Sequence, residues 1–373
     1  MKDALGIIYA AEDDVDLREI IRKRSVAAIP FGGRYRTIDF ALSNMVNSGI
    51  KNIGVITQSN YRSLIEHIGM GKEWNLNRKH GGLSVFSPYT SYDSHGWYTG
   101  TVDAFHSIMS YVRKSTEKYV VISGTHMVCN INYDNALKYH IDTKADITML
   151  YKEEKDIKKE KLKKYILVET DANGRIWDME VNPTVPKSRK ICMNMFIMEK
   201  KYFEYIIEEA QARGHTDFIK HVLLKNLNSI GIYGYEYKDF LARIDSISTY
   251  FRYNMMLLKP EIMQELFYKP GRIYTKVKDE VPAKYTDSAH VKNCLVADGC
   301  VVEGNIENCV LFRGVKIYKG ACARNCIIME DTEVQDNAVL NHVIIDRSVV
   351  IKRGRTLVGQ ENYPIVIGKG EII

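Results

Sequence analysis

The sequence predicts an α/β domain followed by a solenoid of short strands, and three observations carry that prediction. Apolar, β-rich runs alternate with helix-like stretches over the N-terminal region. Near Asp287 the helical periodicity stops and short apolar units recur instead. A length of 373 residues exceeds one typical hydrophobic core, so two domains are expected.

Four runs read as strands: Leu5–Ala10, Asn52–Thr57, Tyr119–Ser123 and Asp146–Tyr151. Between them Asp39–Ser48, Tyr61–Gly69, Val102–Arg113 and Tyr133–Thr143 read as helices. Strand alternating with helix implies a mostly parallel sheet covered on both faces, with ligands beyond the C-terminal strand ends. The loops after Ala10 and after Ser123 are therefore the expected place for chemistry. Lys152–Lys164 carries seven lysines and four acids. Interleaved signs make it a solvated face or, alternatively, a basic anion-binding arm. From about Phe240 to Tyr285 the pattern is a helix and then a connector punctuated by Pro260 and Pro270. Toward the C-terminus a single phase steps by six: Val315, Ala321, Ile327, Glu333, Val339, Ile345, Ile351 and Leu357, all apolar but Glu333. That period resembles the hexapeptide repeats of a left-handed parallel β-helix. The expected units are 1–240, a helix and connector over 241–285, and 286–373.

Composition narrows the function. Net charge is +6, too small and too dispersed to argue for nucleic acid. The apolar stretch Ala4–Ala11 follows Lys2-Asp3 and runs into Glu12-Asp13-Asp14, so it reads as a buried strand and not an export signal. No window approaches the roughly 18 apolar residues of a membrane span. A cytoplasmic chain with no membrane partner is expected. Five of the seven cysteines lie between Cys294 and Cys326 without paired zinc-type spacing, so they read as small buried thiols.

Ile29–Ile50 reads IPFGGRYRTIDFALSNMVNSGI. It resembles the signature of bacterial glucose-1-phosphate adenylyltransferases (ADP-glucose pyrophosphorylases), F-G-G-[KR]-[YF]-R-x-I-D-F-x-L-S-N followed by N-S-G-I. Trp97–Ala104 resembles the family's W-Y-x-G-T-A-D-A, Ser123–His126 its G-D-H, and Asp178–Pro183 its F-x-E-K-P region. The resemblance covers nearly the whole chain. It implies a Rossmann-like nucleotidyltransferase (GT-A-like) domain ahead of the β-helix. Much of the signature is structural in kind: Gly32-Gly33 permits a tight turn, Asn44, Asn47 and Ser48 can bond backbone, and Arg34 and Arg36 are placed to pair with Asp39.

Nucleotidyl transfer needs backbone donors around phosphates, cations against developing charge, and carboxylates for Mg²⁺. The family positions for these groups hold other residues here. The phosphate loop G-G-x-G-[TS]-R-L is Ala11-Glu12-Asp13-Asp14-Val15-Asp16-Leu17, with Asp16 at the catalytic arginine. Val26 replaces the lysine of R-A-K-P, and Thr125 replaces the metal aspartate of G-D-H. Arg243 stands at the second metal aspartate, of W-R-D-V-G. Asn182 replaces the sugar-phosphate lysine, and Cys192-Met193-Asn194-Met195-Phe196 stands for S-M-G-[IV]-Y. No cofactor is expected, since the Mg²⁺ ligands are replaced. The resemblance thus points to the GlgD-type non-catalytic subunit, paired with a catalytic subunit in a heterotetramer for glycogen synthesis. The alternative is an active sugar-phosphate nucleotidyltransferase with a rearranged site. Gly100 and Thr101 match the family's nucleotide-side motif, and read either as a vestigial nucleotide contact or as a helix-entry turn. Lys23 and Arg36 match positions where the family binds phosphorylated effectors, with Pro30 at a histidine position. They read either as an effector site or as a solvated basic loop around Lys23 with Arg36 paired to Asp39.

Overall fold

In a computed structural model, which describes residues 1, 3–12, 15–88, 90–91, 94–155 and 159–373, the N-terminal unit is built on a nine-stranded sheet. Its centre is β1 (Ala4–Ala10), flanked in parallel by β2 (Asn52–Thr57) and β4 (Tyr119–Gly124), with β3 (Gly82–Phe86) parallel beyond β2. These strands are near-continuous apolar runs because both faces are covered. The sheet is mixed, where a mostly parallel one was expected. A ten-residue strand, Lys190–Glu199, inserts antiparallel beside β4. The fourth expected run, Ile147–Glu153, pairs antiparallel with that inserted strand and parallel with Ile232–Glu236 at the sheet margin.

Two helix expectations need correction. The stretch 102–113 is two helices, Thr101–Ser107 and Met109–Lys114, broken at Ile108. Pro260 opens the helix Pro260–Tyr268 and does not punctuate a connector, because a proline in the first helical turn forfeits no hydrogen bond.

The signature segment acts as a set of pins. Its helix, α1 (Thr37–Asn47), lies among three other elements and bonds each through a polar side chain. Asn44 donates to Cys129 O at 2.9 Å and accepts from Ile131 N–H at 3.1 Å. Ser43 accepts from Trp74 Nε1 and from Tyr274 N–H, at 3.1 and 2.9 Å. Ser48 Oγ accepts from Tyr133 N–H at 2.8 Å, and Asn47 donates to Arg272 O at 2.9 Å. Gly32 has φ +60, and a Cβ there would stand 2.9 Å from Phe267. The expected arginine–aspartate pairing is not formed by the Arg36 guanidinium, which donates to Ser63 O at 2.6 Å. Asp39 instead holds His67 Nε2 at 2.6 Å and accepts from the Arg36 backbone N–H at 2.9 Å.

Residues 284–367 form three parallel five-stranded sheets whose strands follow one another in turn, a parallel β-helix. Val301 pairs with Lys316 and Lys316 with Glu333, so successive coils take 15 and then 17 residues. A strict six-residue step closes a coil in 18, and therefore drifts outward by a residue or more per turn. Val315, Ala321, Ile327, Ile345 and Ile351 are fully buried, while Val339 is 40% exposed and Glu333 and Leu357 are half-buried. Asn293, Asn308, Asn325 and His342 stack at one corner with positive φ. Asparagine tolerates that conformation, and Asn293 donates to Asn308 Oδ1 at 2.7 Å. All seven cysteines are free, and only Cys294 and Cys322 are less than fully buried.

The two units share a core. Leu17, Ile20, Val26, Phe31 and Phe40 pack with Val310, Phe312, Ile327, Met329 and Ile344 of the solenoid. Beside that apolar seam, buried Arg24 binds buried Asp346 at 2.6 Å. Among the described residues, no helix is long and apolar enough to cross a membrane.

Candidate functional site

β1 and β4 run side by side with Tyr9 opposite Gly124, so the chain segments that follow them emerge together. At that point Glu12 reaches across. Its Oε2 accepts from Thr125 N–H at 3.1 Å and from the Thr125 hydroxyl at 3.3 Å, and its Oε1 lies 2.7 Å from His126 Nδ1. A Cβ at Gly124 would stand 2.5 Å from Glu12 Oε1, so the carboxylate rests on a backbone face that only glycine leaves open. Burial pushes the Glu12 carboxyl up, but the charge and hydrogen bond of His126 and the two bonds from Thr125 outweigh it. The carboxyl is held below its ordinary value. A carboxylate thus takes up one backbone N–H, that of Thr125, and two side-chain groups just beyond the ends of β1 and β4.

The other replaced positions have structural partners of their own. Asp13 and Asp14 lie outside the described residues. Asp16 does not join the Glu12 cluster; its carboxylate pairs with Lys164. Val26 is 2% exposed within the apolar seam, where a lysine would be desolvated. Asn182 is exposed with φ 52, and its N–H donates to Tyr165 O at 3.1 Å, so it serves a left-handed turn. The Arg243 guanidinium lies 4.0 Å from the Tyr165 ring centroid and pairs with Asp245 at 3.4 Å. Two of its nitrogens, Nε and Nη1, are buried without a hydrogen bond. A hydroxyl at 125 and a guanidinium at 243 do not fit Mg²⁺, which takes carboxylate oxygens. Among the described residues no three His, Cys, Asp or Glu side chains converge as metal ligands.

Gly100 and Thr101 are engaged in packing. A Cβ at Gly100 would stand 2.3 Å from Thr216 O, and the Thr101 hydroxyl accepts from Phe218 N–H at 2.8 Å. Both hold the segment 216–218 against the start of the helix Thr101–Ser107. Thr101 also lines a cavity of about 210 Å³ beside Glu12, together with Tyr9, Phe105, Asn194 and Phe218.

A second, cationic cavity of about 150 Å³ lies between the two units. Arg36 lines it with Arg34, Lys276, Lys278, Arg313 and Arg347, against the acids Glu66 and Glu330. Arg347 binds Glu330 at 2.7 Å and Lys278 binds it at 3.5 Å. Burial, and then the neighbouring Arg347, lower the Arg36 pKa to about 10. Burial pushes Glu330 up, but Arg347, Lys278, Arg36 and Arg313 more than reverse it. Lys23 is exposed and is not among the residues lining this cavity. The sequence alone does not single out Arg313, Glu330 and Arg347. They recur at the 17-residue coil length, so they stack on adjacent coils. Asp331 N–H donates to Arg313 O and Ser348 N–H to Glu330 O, at 3.0 and 2.9 Å.

The nucleotidyl transferase family model matches residues 13–244, and the model described as GlmU-like, C-terminal hexapeptide matches residues 280–363. The chain is 35% identical to the glycogen biosynthesis protein GlgD of Bacillus subtilis (strain 168), over 98% of this chain and 96% of that one. It is 32% identical to the glucose-1-phosphate adenylyltransferase of Fervidobacterium nodosum, over 95% of this chain and 85% of that one. The corresponding enzyme of Clostridium perfringens (strain 13 / Type A) is also 32% identical, over 100% and 94%.

Proposed function

The chain belongs to the nucleotidyl transferase family, and from that premise we propose that it is a non-catalytic partner subunit of an ADP-glucose pyrophosphorylase. It would work in the cytoplasm, in glycogen synthesis, within a heterotetramer whose other chain carries intact catalytic motifs. One observation carries this reading: the Glu12 carboxylate is bonded to Thr125 and to the His126 side chain, just beyond the C-terminal strand ends where such a sheet is expected to take its ligand. Bringing phosphate to about 4 Å from that carboxylate costs roughly 1 kcal/mol in bulk water, and about 4 kcal/mol near a protein surface. The guanidinium of Arg243 opposes a metal in the same way. Similarity over the full length to both GlgD and glucose-1-phosphate adenylyltransferases supports the assignment to this pathway.

The cationic cavity supports a role in regulation. Arg36, Arg313 and Arg347 can meet a phosphorylated small molecule without any catalytic group, since an anion needs only donors and positive potential. The alternative reading, an active enzyme with a rearranged site, lacks a carboxylate at either metal position.

The test is ADP-glucose formation by the chain alone, by a catalytic relative alone, and by the co-expressed pair. No turnover alone and altered turnover of the pair are expected. Robust turnover by the highly purified chain would overturn the assignment.

A further inference from the structure

A further cavity belongs to neither place considered above. It is an open cleft of about 660 Å³, within the range of small-molecule sites. One wall is the helix Tyr133–Thr143 with the turn before it, and the other is the marginal strand Ile232–Glu236 with the loop that follows. None of its lining residues lines the Glu12 cavity or the cationic cavity.

Its lining has a distinct chemistry. Tyr139 and Tyr235 are half-buried and meet edge to face, with ring centroids 5.6 Å apart. Tyr151 and Tyr237 lie deeper, 8% and 5% exposed. Burial raises the pKa of all four hydroxyls; that of Tyr237 donates to Asn130 O and Phe240 O, so Tyr139 and Tyr235 are the half-buried hydroxyls nearest to solvent. A tyrosine offers an apolar ring face and a polar tip together. Asparagines supply the rest. Asn135 stands one helical turn before Tyr139 and so shares its face. Asn132 spends its amide oxygen on the Asp134 N–H, at 2.8 Å, which leaves its NH₂ donors. Asn130 donates to Leu266 O and Gly271 O, while its Oδ1 is buried without a hydrogen bond.

Charge and shape then select among ligands. Its charged lining residues are Lys238, Glu236 and Asp239, so the cleft has no positive excess, and phosphate would find none of the potential that the cationic cavity offers. Ile131 and Pro270 are its only aliphatic lining residues, so its apolar contact comes from tyrosine rings set among amide groups. Such a lining suits a neutral ligand with hydroxyls at its edges and C–H groups on its faces. We propose that this cleft binds an oligosaccharide, specifically a segment of α-glucan chain. The choice of α-glucan rests on the glycogen reading above; the choice of a neutral saccharide rests on the lining alone.

The experiment is native affinity electrophoresis of the full chain in gels with and without glycogen, with maltoheptaose titrated calorimetrically. Retardation by glycogen and a maltoheptaose Kd of about 1 mM or tighter are expected. Tyr139→Ala and Tyr235→Ala should each weaken binding about tenfold with the melting midpoint kept. Tyr205→Ala, at an exposed tyrosine outside the cleft, should change nothing. Where a tyrosine variant fails to fold, Asn135→Ala, at an exposed position, should give the same loss. No retardation of the parent chain, or full binding by folded cleft variants, overturns the proposal. Cello-oligosaccharides run in parallel, and binding of these without maltoheptaose refutes the α-glucan assignment. Stimulation of a catalytic relative is a separate readout. Its failure alongside glucan binding would sink the partner-subunit reading and leave the cleft standing.

Discussion

Replacing Glu12 by Ala should loosen the loop after β1 and destabilise the N-terminal unit. The side chain is 16% exposed and makes three contacts, two from Thr125 and one with His126. Hydrogen bonds to a charged group contribute about 1.5–3 kcal/mol each in favourable cases, and they do not add fully. Removing the carboxylate also leaves the buried His126 Nδ1 without its partner, and an unsatisfied buried polar group costs about 1–3 kcal/mol. Allowing for partial solvent screening, a loss of about 3 kcal/mol is expected. For a domain of this size that lowers the melting midpoint by roughly 6–12 °C. Glu12→Gln still accepts from Thr125 but carries no charge, so its loss should be about half as large. The pH dependence isolates the cause. The folded carboxyl titrates below its ordinary 4.5, so its contribution is complete above that value and is lost as pH falls through the folded pKa. Melting curves of parent and Glu12→Gln, followed by differential scanning calorimetry, should therefore converge in acid. A gap that persists undiminished below the folded pKa, or a Glu12→Ala midpoint within about 1 °C of the parent at neutral pH, would refute the argument that Glu12 is an ionised anchor.

Arg24→Ala should destabilise the junction of the two units by about 3–5 kcal/mol, because it strands buried Asp346; chemical denaturation reads this, and the pair Arg24→Met with Asp346→Leu should recover most of it. Restoring family carboxylates with Thr125→Asp and Arg243→Asp together should yield no ADP-glucose, because Glu12 still covers the Gly124 backbone; pyrophosphate release is the assay, and measurable turnover would count against the occlusion argument. In a mixed complex, Arg36→Ala with Arg347→Ala should raise the half-saturating concentration of a phosphorylated effector about tenfold, near 1.4 kcal/mol, and leave assembly intact; an unchanged dose response would remove the cationic cavity from regulation.

Periodicity makes the early strands legible, because a strand covered on both faces must be apolar throughout. Lys190–Glu199 escapes for a related reason. Its residues align with a catalytic motif, and that alignment masks the strand that makes the sheet mixed. The solenoid shows itself because each coil needs small apolar residues facing inward. Its true coil length stays hidden, since a small drift per turn still leaves most positions of a six-step apolar. The site divides in the same way. Fixed motif spacing exposes the replacements Asp16, Val26, Thr125, Asn182 and Arg243. Their new partners are not readable from it, because Glu12 meets Thr125 across 113 positions and Asp16 meets Lys164 across 148. Arg313, Glu330 and Arg347 need the coil length before their spacing means anything.

The replaced groups have contacts within the chain, which bears on why such a site keeps its shape. A catalytic pocket normally leaves backbone donors and carboxylates waiting for substrate and metal, and unpaired buried groups are costly. Here an internal anion, Glu12, takes the Thr125 N–H and hydroxyl and lies against the His126 side chain. An internal cation, Arg243, lies over Tyr165 beside Asp245 where a metal carboxylate would stand. Neither charge is free to serve a ligand without breaking a contact that holds the loop or the neighbouring strand. Val26, where the resemblance places a lysine, is an apolar side chain packed in the seam between the units. Reverting one position at a time therefore meets a structure in which each of these groups already has another contact.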